Sequence, residues 1–226
     1  MPAPLHLFGL VHFLILASVP AFAAVLVVVQ RRLQLDPRWL RYSLAPILFL
    51  CEFSYYGCSA FQGQPIFPNR LPLELCDLSM WLVLIALLTL KPAVFDLAYY
   101  YALAGASMSL LTPDMPESYP ALLAVQFFAE HGLLIIAILY LVWSGQARPR
   151  PGSVWRALLA LNIYAVFVGA FDFFFKTDYM FLRAKPPTVS ALDLFGPWPW
   201  YILGAEGVAV VFFQLLYLPF RRTAGE

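Results

Sequence analysis

The chain has 226 residues, of which 62% are hydrophobic, 17% aromatic and only 12% charged, with a formal net charge of +1. A soluble domain carries about 25% charged residues, so a water-soluble fold is excluded, and the few basic residues exclude electrostatic nucleic-acid binding. A membrane helix needs ~20 apolar residues, so seven spans would use most of the chain and leave no room for a soluble catalytic domain.

Hydropathy windows of about 19 residues pick out seven candidate spans. The first runs from about Leu7 to Val29 and the second from about Leu40 to Phe61. Ala21-Phe22-Ala23 in the first resembles a signal cleavage site, but no Lys or Arg precedes it, so it reads as a retained helix. The third span covers Pro72 to Leu90 and the fourth Ala93 to Leu111; only Lys91–Pro92 parts them, which makes them antiparallel neighbours. The fifth runs from about Ala121 to Trp143, the sixth from Val154 to Phe175 and the seventh from Trp200 to Leu218. The segments are apolar on all faces, which suits helices and not the alternating strands of a barrel. The expected fold is all-α: one heptahelical transmembrane domain over residues 1–226.

Ten of the 14 Lys and Arg residues, Arg31 and Arg148 among them, fall on the side that carries the C-terminus; Arg70, Lys176, Arg183 and Lys185 fall on the other. The positive-inside rule then puts the N-terminus outside and the C-terminus in the cytoplasm. The long outer connection, Lys176 to Pro199, closes on Gly196-Pro197-Trp198-Pro199-Trp200-Tyr201. It reads equally as an interfacial aromatic belt and as a lid or headgroup loop.

Ionisable residues inside a span are expensive and by default mark a site. Glu52, Glu74, Asp77, Glu130, His131, Asp172 and Glu206 all fall in the expected outer half; Asp96 lies at the cytoplasmic start of the fourth span. Such clustering at one depth favours a central polar cavity opening outward over scattered interhelical hydrogen bonds. His131 is the histidine deep in a span, His6 and His12 lying near the outer end of the first, and a neutral imidazole serves as a general base near pH 7. Cys76, between Glu74 and Asp77, is a thiol that a base could convert to a nucleophilic thiolate. A structural disulfide between Cys58 and Cys76 is the rival use of that thiol. Gly105-Ala106-Ser107 has the Gly-x-Ser form of rhomboid proteases without the rest of their pattern. Three histidines, two of them at the N-terminus, argue against a catalytic zinc, and no Gly-rich phosphate loop is present, so no metal or cofactor is expected.

Several segments resemble the YwaF-like family of integral membrane proteins. They are Leu71-Pro72-Leu73-Glu74-Leu75-Cys76, Leu111-Thr112-Pro113-Asp114, His131, the stretch from Asp178-Tyr179-Met180 to Lys185-Pro186, and Gly196-Pro197-Trp198-Pro199-Trp200-Tyr201. That family looks related to the eukaryotic transmembrane protein 164 group, regarded as acyltransferases of ether phospholipids with a cysteine nucleophile and a histidine partner. A more distant likeness is to the androgen-induced membrane hydrolases of fatty-acid esters, which use threonine. The resemblance implies that Cys76 is the nucleophile and His131 the base of a phospholipid acyltransferase or lipid ester hydrolase working through a thioester. Glu52, Asp77 or Asp172 would orient the imidazole as a third member, and Arg183 and Lys185 would hold a headgroup phosphate. The expected partners are membrane lipids as substrate, near the outer leaflet of a bacterial cytoplasmic membrane, with no nucleic acid. The alternative is a non-enzymatic heptahelical transporter or ligand-binding protein with an outward-facing polar cavity.

Overall fold

The computed structural model describes residues 7–61, 63–113, 121–186 and 190–221. His6 and Asp114 lie outside the described residues. Seven helices and no strands are present among them: α1 (Leu10–Arg32), α2 (Pro37–Phe61), α3 (Leu75–Thr89), α4 (Pro92–Leu111), α5 (Ala121–Trp143), α6 (Ser153–Phe175) and α7 (Trp200–Tyr217). Their bounds follow the apolar windows of the sequence closely, except for α3.

Six of the seven are long and apolar enough to cross a membrane; α3 is not. Its 15 residues rise only ~22 Å against a hydrocarbon core of ~30 Å. The cause is local. Pro72 cannot continue a hydrogen-bonded turn, and Glu74 takes the N-cap position, its carboxyl accepting from the third helical amide while the Asp77 carboxyl accepts from Glu74 N–H at 2.8 Å. This reciprocal pair starts the helix at Leu75. At the other end Leu90 takes a left-handed conformation, φ 53°, and Pro92 opens α4 one residue after Lys91. Proline suits a first helical turn because its missing N–H would be unpaired there anyway.

The bundle is organised around α4 and α5. About half of each is buried, against 22% of α1, 17% of α6 and 11% of α7. α5 packs against α1, α2, α3 and α4, while α4 packs against α3, α5 and α6. Tyr100, Tyr101 and Tyr140 are the largest fully buried side chains. Each phenol is satisfied: Tyr100 pairs with Ser153 Oγ at 2.7 Å, Tyr101 donates to Ala157 O at 2.7 Å, and Tyr140 donates to Gln30 Oε1 at 3.0 Å. Buried hydroxyls without such partners would each cost a desolvation penalty of ~1–3 kcal/mol. The outward faces of α1, α6 and α7 expose large apolar side chains such as Phe13, Phe174 and Val211. In water that surface would aggregate; against lipid it is solvated.

Halfway along α4 the residues Tyr101–Ala106 form a π turn. Such a widened turn shifts the register of the side chains beyond it. The connection between α6 and α7, expected on the outer side and so called the outer connection, folds onto the bundle over its described residues. Tyr179 N–H donates to both Asp172 oxygens at 3.1 and 3.0 Å, and Tyr179 Oη donates to Pro68 O at 2.7 Å while accepting Leu71 N–H at 2.7 Å. Tyr201 Oη and Trp198 Nε1 donate to Phe181 O and Leu182 O, at 2.6 and 3.1 Å. These anchors hold Lys176, Met180 and Phe181 at φ of 60°, 56° and 54°, a region costly for residues with a Cβ. Further along, the Phe195 ring lies so close to Gly204 on α7 that any side chain there would overlap it.

Candidate functional site

A cavity of about 1080 Å³ opens between α2, α3, α4, α5 and α7. Cys76 and Asp77 enter it from the first turn of α3, Glu52 from α2, and Gln126, Glu130 and His131 from α5. Gly105 borders it from the π turn of α4. The polar depth expected from the sequence is therefore one cavity for these residues.

Cys51, Cys58 and Cys76 are free thiols, and each is half-buried. The Cys58–Cys76 disulfide weighed from the sequence is absent, which leaves Cys76 available as a thiol at the cavity wall.

His131 is 3% exposed. Its Nδ1 lies 2.8 Å from Phe127 O, one turn back on α5. A carbonyl only accepts, so Nδ1 carries the hydrogen and the neutral ring keeps its lone pair on Nε2. The partner of Nδ1 is thus the Phe127 carbonyl, and no hydrogen bond joins the imidazole to Glu52, Asp77 or Asp172 among the described residues. The Phe127 ring also stacks on the imidazole, with centroids 4.2 Å apart. His12 makes a useful contrast. It is fully buried, takes Phe8 N–H on Nδ1 at 3.0 Å and donates from Nε2 to Leu110 O at 2.7 Å. Nδ1 fixes the start of α1 and Nε2 ties α1 to the end of α4, so it is a structural histidine. Cys76 and His131 share the cavity, but no hydrogen bond joins them among the described residues.

The acids divide into two groups. Glu52, Asp77 and Glu130 gather in the cavity, where Glu52 lies within side-chain hydrogen-bond range of both others. Two carboxylates cannot bond to each other unless one carries a proton. Gln126 Nε2 donates to Glu130 Oε2 at 2.7 Å and reaches Cys51 O at 3.4 Å. Asp172 belongs elsewhere. It accepts from Thr177 Oγ1 at 2.6 Å and from Tyr179 N–H, is absent from the cavity lining, and organises the outer connection. Glu74 likewise joins α3 to that connection, accepting Met180 N–H at 2.9 Å. Glu206 accepts from Asn162 on α6 at 2.8 Å.

The two basic residues read as headgroup ligands already have partners. Arg183 donates to Thr177 O at 3.0 Å and Asp172 O at 3.3 Å, and borders a smaller cleft with Phe173 and Trp198. Lys185 pairs with Asp193 at 2.9 Å. Burial raises the Tyr179 phenol above its ordinary value, so it remains a neutral donor to Pro68. No group of three or more His, Cys, Asp or Glu residues is arranged to hold a metal ion among the described residues.

Sequence reading picked out the acids, the thiol and the imidazole, but not Gln126, Tyr56 or Arg70, which also line the cavity. Gln126 was detectable: it stands four residues before Glu130 in an otherwise apolar helix, the spacing that puts two side chains on one face.

Long apolar helices stacked around a polar cavity define a multi-pass membrane protein. Within that class the chain belongs to the TMEM164 family, whose model matches residues 6–217. It is also similar to an uncharacterized protein of Treponema pallidum (strain Nichols), at 25% identity over 219 residues, covering 95% of this chain and 89% of the relative. No solved structure matches.

Proposed function

We propose that this protein is an intramembrane lipid acyltransferase or ester hydrolase that works through a thioester on Cys76. The observation that carries the reading is the pairing of a free thiol with an imidazole whose hydrogen is committed to Phe127 O, both facing one cavity large enough for a lipid headgroup and the start of its chains. His131 Nε2 takes the Cys76 proton, directly or through one water. The thiolate adds to the carbonyl carbon of an acyl ester, the tetrahedral adduct expels the alcohol oxygen, and the imidazolium returns the proton to it. A lysolipid hydroxyl or water then attacks the thioester, losing its proton to Nε2, and the released Cys76 thiolate is reprotonated. The YwaF-like resemblance and the family's reading as acyltransferases support this assignment. In it, the chain is one heptahelical unit of a bacterial cytoplasmic membrane with its C-terminus inside. α3 is the seventh crossing, and residues 63–74 complete the depth that its short length leaves uncovered.

The test is to trap the intermediate. Purified protein incubated with phospholipid should gain the mass of one fatty acyl chain, mapping to Cys76 and released by hydroxylamine. His131→Ala should slow its appearance by ~10²–10⁴-fold, the usual contribution of a general base. Cys76→Ser should remove the hydroxylamine-labile adduct, whereas Cys51→Ser and Cys58→Ser should acylate normally. A folded, reduced protein that no phospholipid acylates would sink the enzymatic reading and favour a ligand-binding cavity.

A further inference from the structure

α7 is buried at two points and stands off from the bundle between them. In its first turn Tyr201 is buried and donates to Phe181 O at 2.6 Å; toward its far end Phe213 is buried and stacks on Tyr100, with centroids 4.9 Å apart. At 1.5 Å per residue these two points are ~18 Å apart along the axis. Between them Ala205, Val208, Ala209 and Phe212 recur at the spacing of one helix face and line the cavity, each only half-buried. Glu206, the one ionisable residue of this stretch, turns aside to Asn162 on α6. The space along α7 is thus an apolar arm of the cavity that Cys76 and His131 enter. Its far end is closed by rings. Tyr101 is the first residue of α4 to reach the cavity, its ring lies 6.2 Å from that of Phe213, and its phenol is tied to Ala157 O.

Protein interiors pack at the density of organic crystals, so an open arm between helices asks for an occupant. Walls of this kind match a hydrocarbon chain and disfavour water or an ion. The other end of the occupant follows from Arg70, which borders the same cavity. Arg70 is half-buried, and its guanidinium has no hydrogen bond or ion pair among the described residues. Its backbone is fixed: Arg70 N–H donates to Ile66 O at 2.8 Å, and the Tyr179 phenol bridges Pro68 O and Leu71 N–H on either side. A cation held in place without a counter-charge suits an anionic head. We infer that the arm along α7 is a pocket for one acyl chain of an amphiphile whose anionic head meets Arg70, with Tyr101 and Phe213 as the floor that limits chain length. This deepens the acyl-transfer reading and rests on it for the ester lying beside Cys76; the pocket itself is tested without turnover. Two sources share the chemistry: the phosphate of a phospholipid, or the carboxylate of a free fatty acid.

Photocrosslinking of the full chain in nonionic detergent tests it, with Cys76→Ser so that turnover plays no part. The probes are palmitic acid carrying a diazirine on its terminal carbon and a phosphatidylcholine carrying the same chain. Adducts of at least one probe should map to Tyr101 and Phe213, as well as to Val211 and Leu215, which face the surrounding lipid or detergent from the same helix. Val208→Trp, which fills the arm, should remove the first pair of adducts and leave the second. Adducts confined to Val211 and Leu215, or inner adducts that survive Val208→Trp in folded protein, overturn the pocket. Unlabelled competitors from octanoyl to docosanoyl should displace the probe with a maximum at one chain length. Phe213→Ala should move that maximum to longer chains; Phe213→Leu gives the same reading should the first variant misfold. A maximum that stays in place overturns the floor. Arg70→Gln should weaken the inner labelling. Loss with the phospholipid alone identifies a phosphate, loss with the fatty acid alone a carboxylate, and loss with both a site for either head; labelling indifferent to Arg70→Gln overturns the anchor. Inner adducts without acylation in the trapping experiment would sink only the chemistry, and acylation without inner adducts only the pocket, so the two readings fail separately.

Discussion

Buried acid occurs at both ends of this bundle, and the two occurrences are built differently. Asp96 stands near the start of α4 and is 1% exposed. It accepts from Arg150 through the backbone N–H at 3.0 Å, Nε at 2.9 Å and Nη2 at 2.8 Å, and from Arg156 Nη2 at 3.0 Å. Two guanidiniums answer one carboxylate, so the turn between α5 and α6 is clamped to α4. α3 and α4 run antiparallel, so Asp77 in the first turn of α3 lies at the opposite end. There three carboxyls crowd together, no Lys or Arg forms an ion pair with them among the described residues, and one Glu52 oxygen is unmatched. Saturated polar groups of this kind fasten a fold. His12 and His131 repeat the lesson, the first with both nitrogens bonded and the second with one.

The comparison breaks most visibly if Asp96 can be neutralised without consequence. Asp96→Ala should cost about 1.5–3 kcal/mol, because the Arg150 amide and two half-exposed guanidiniums lose their charged acceptor. The measurement is thermal unfolding in detergent. Glu52→Gln should behave in the opposite way. It removes one acid from a crowd of acids and gives the neighbours an amide donor, so stability should change by less than about 1 kcal/mol or rise. Equal destabilisation by both variants would mean that the two ends are built alike.

A smaller effect sharpens the assignment of Asp172. Asp172→Asn keeps the shape but weakens the acceptor of Thr177 Oγ1 and Tyr179 N–H. Charged acceptors contribute about 1.5–3 kcal/mol each, and an amide retains part of that. The outer connection should become more susceptible to proteolysis near Met180, whose backbone is held in a left-handed conformation, while the rate of Cys76 acylation falls less than it does in His131→Ala. A loss as large as that of His131→Ala would return Asp172 to the catalytic group.

Much of this was legible in the sequence because the bilayer imposes simple rules. Apolar windows locate helices within a few residues, and α5 and α7 begin where hydropathy places them. The short α3 escaped because hydropathy counts Pro72 and Leu73 as apolar, while the chain before Leu75 is fixed by the Glu74–Asp77 cap. Which ionisable residues sit at one depth was also readable. Which of them meet was not, because that depends on the rotation of each helix about its axis. Asp172 and Glu130 look equivalent on paper, yet one turns to the outer connection and the other to the cavity. The Phe127 carbonyl that fixes His131 was invisible for a further reason: a backbone acceptor leaves no residue-type signal.

The smallest expected effect belongs to the exposed pair of Lys185 and Asp193. Ser190 N–H and then the Lys185 ammonium hold the Asp193 carboxyl below its ordinary value. A depressed carboxyl contributes stability above the ordinary carboxylate range and loses it as pH falls through the lowered folded value. The side chain of Asp193 is 47% exposed, so water and salt screen most of that contribution. NMR titration of labelled aspartate should place Asp193 below the usual range in the native protein and move it upward in Lys185→Met, with no measurable change in melting temperature at neutral pH. Only part of the depression should vanish, because the Ser190 amide, the larger cause, stays in place. If Lys185→Met instead lowered the melting temperature as much as Asp172→Asn does, the ion pair would have to be counted among the anchors of the outer connection, alongside Tyr179 and Tyr201.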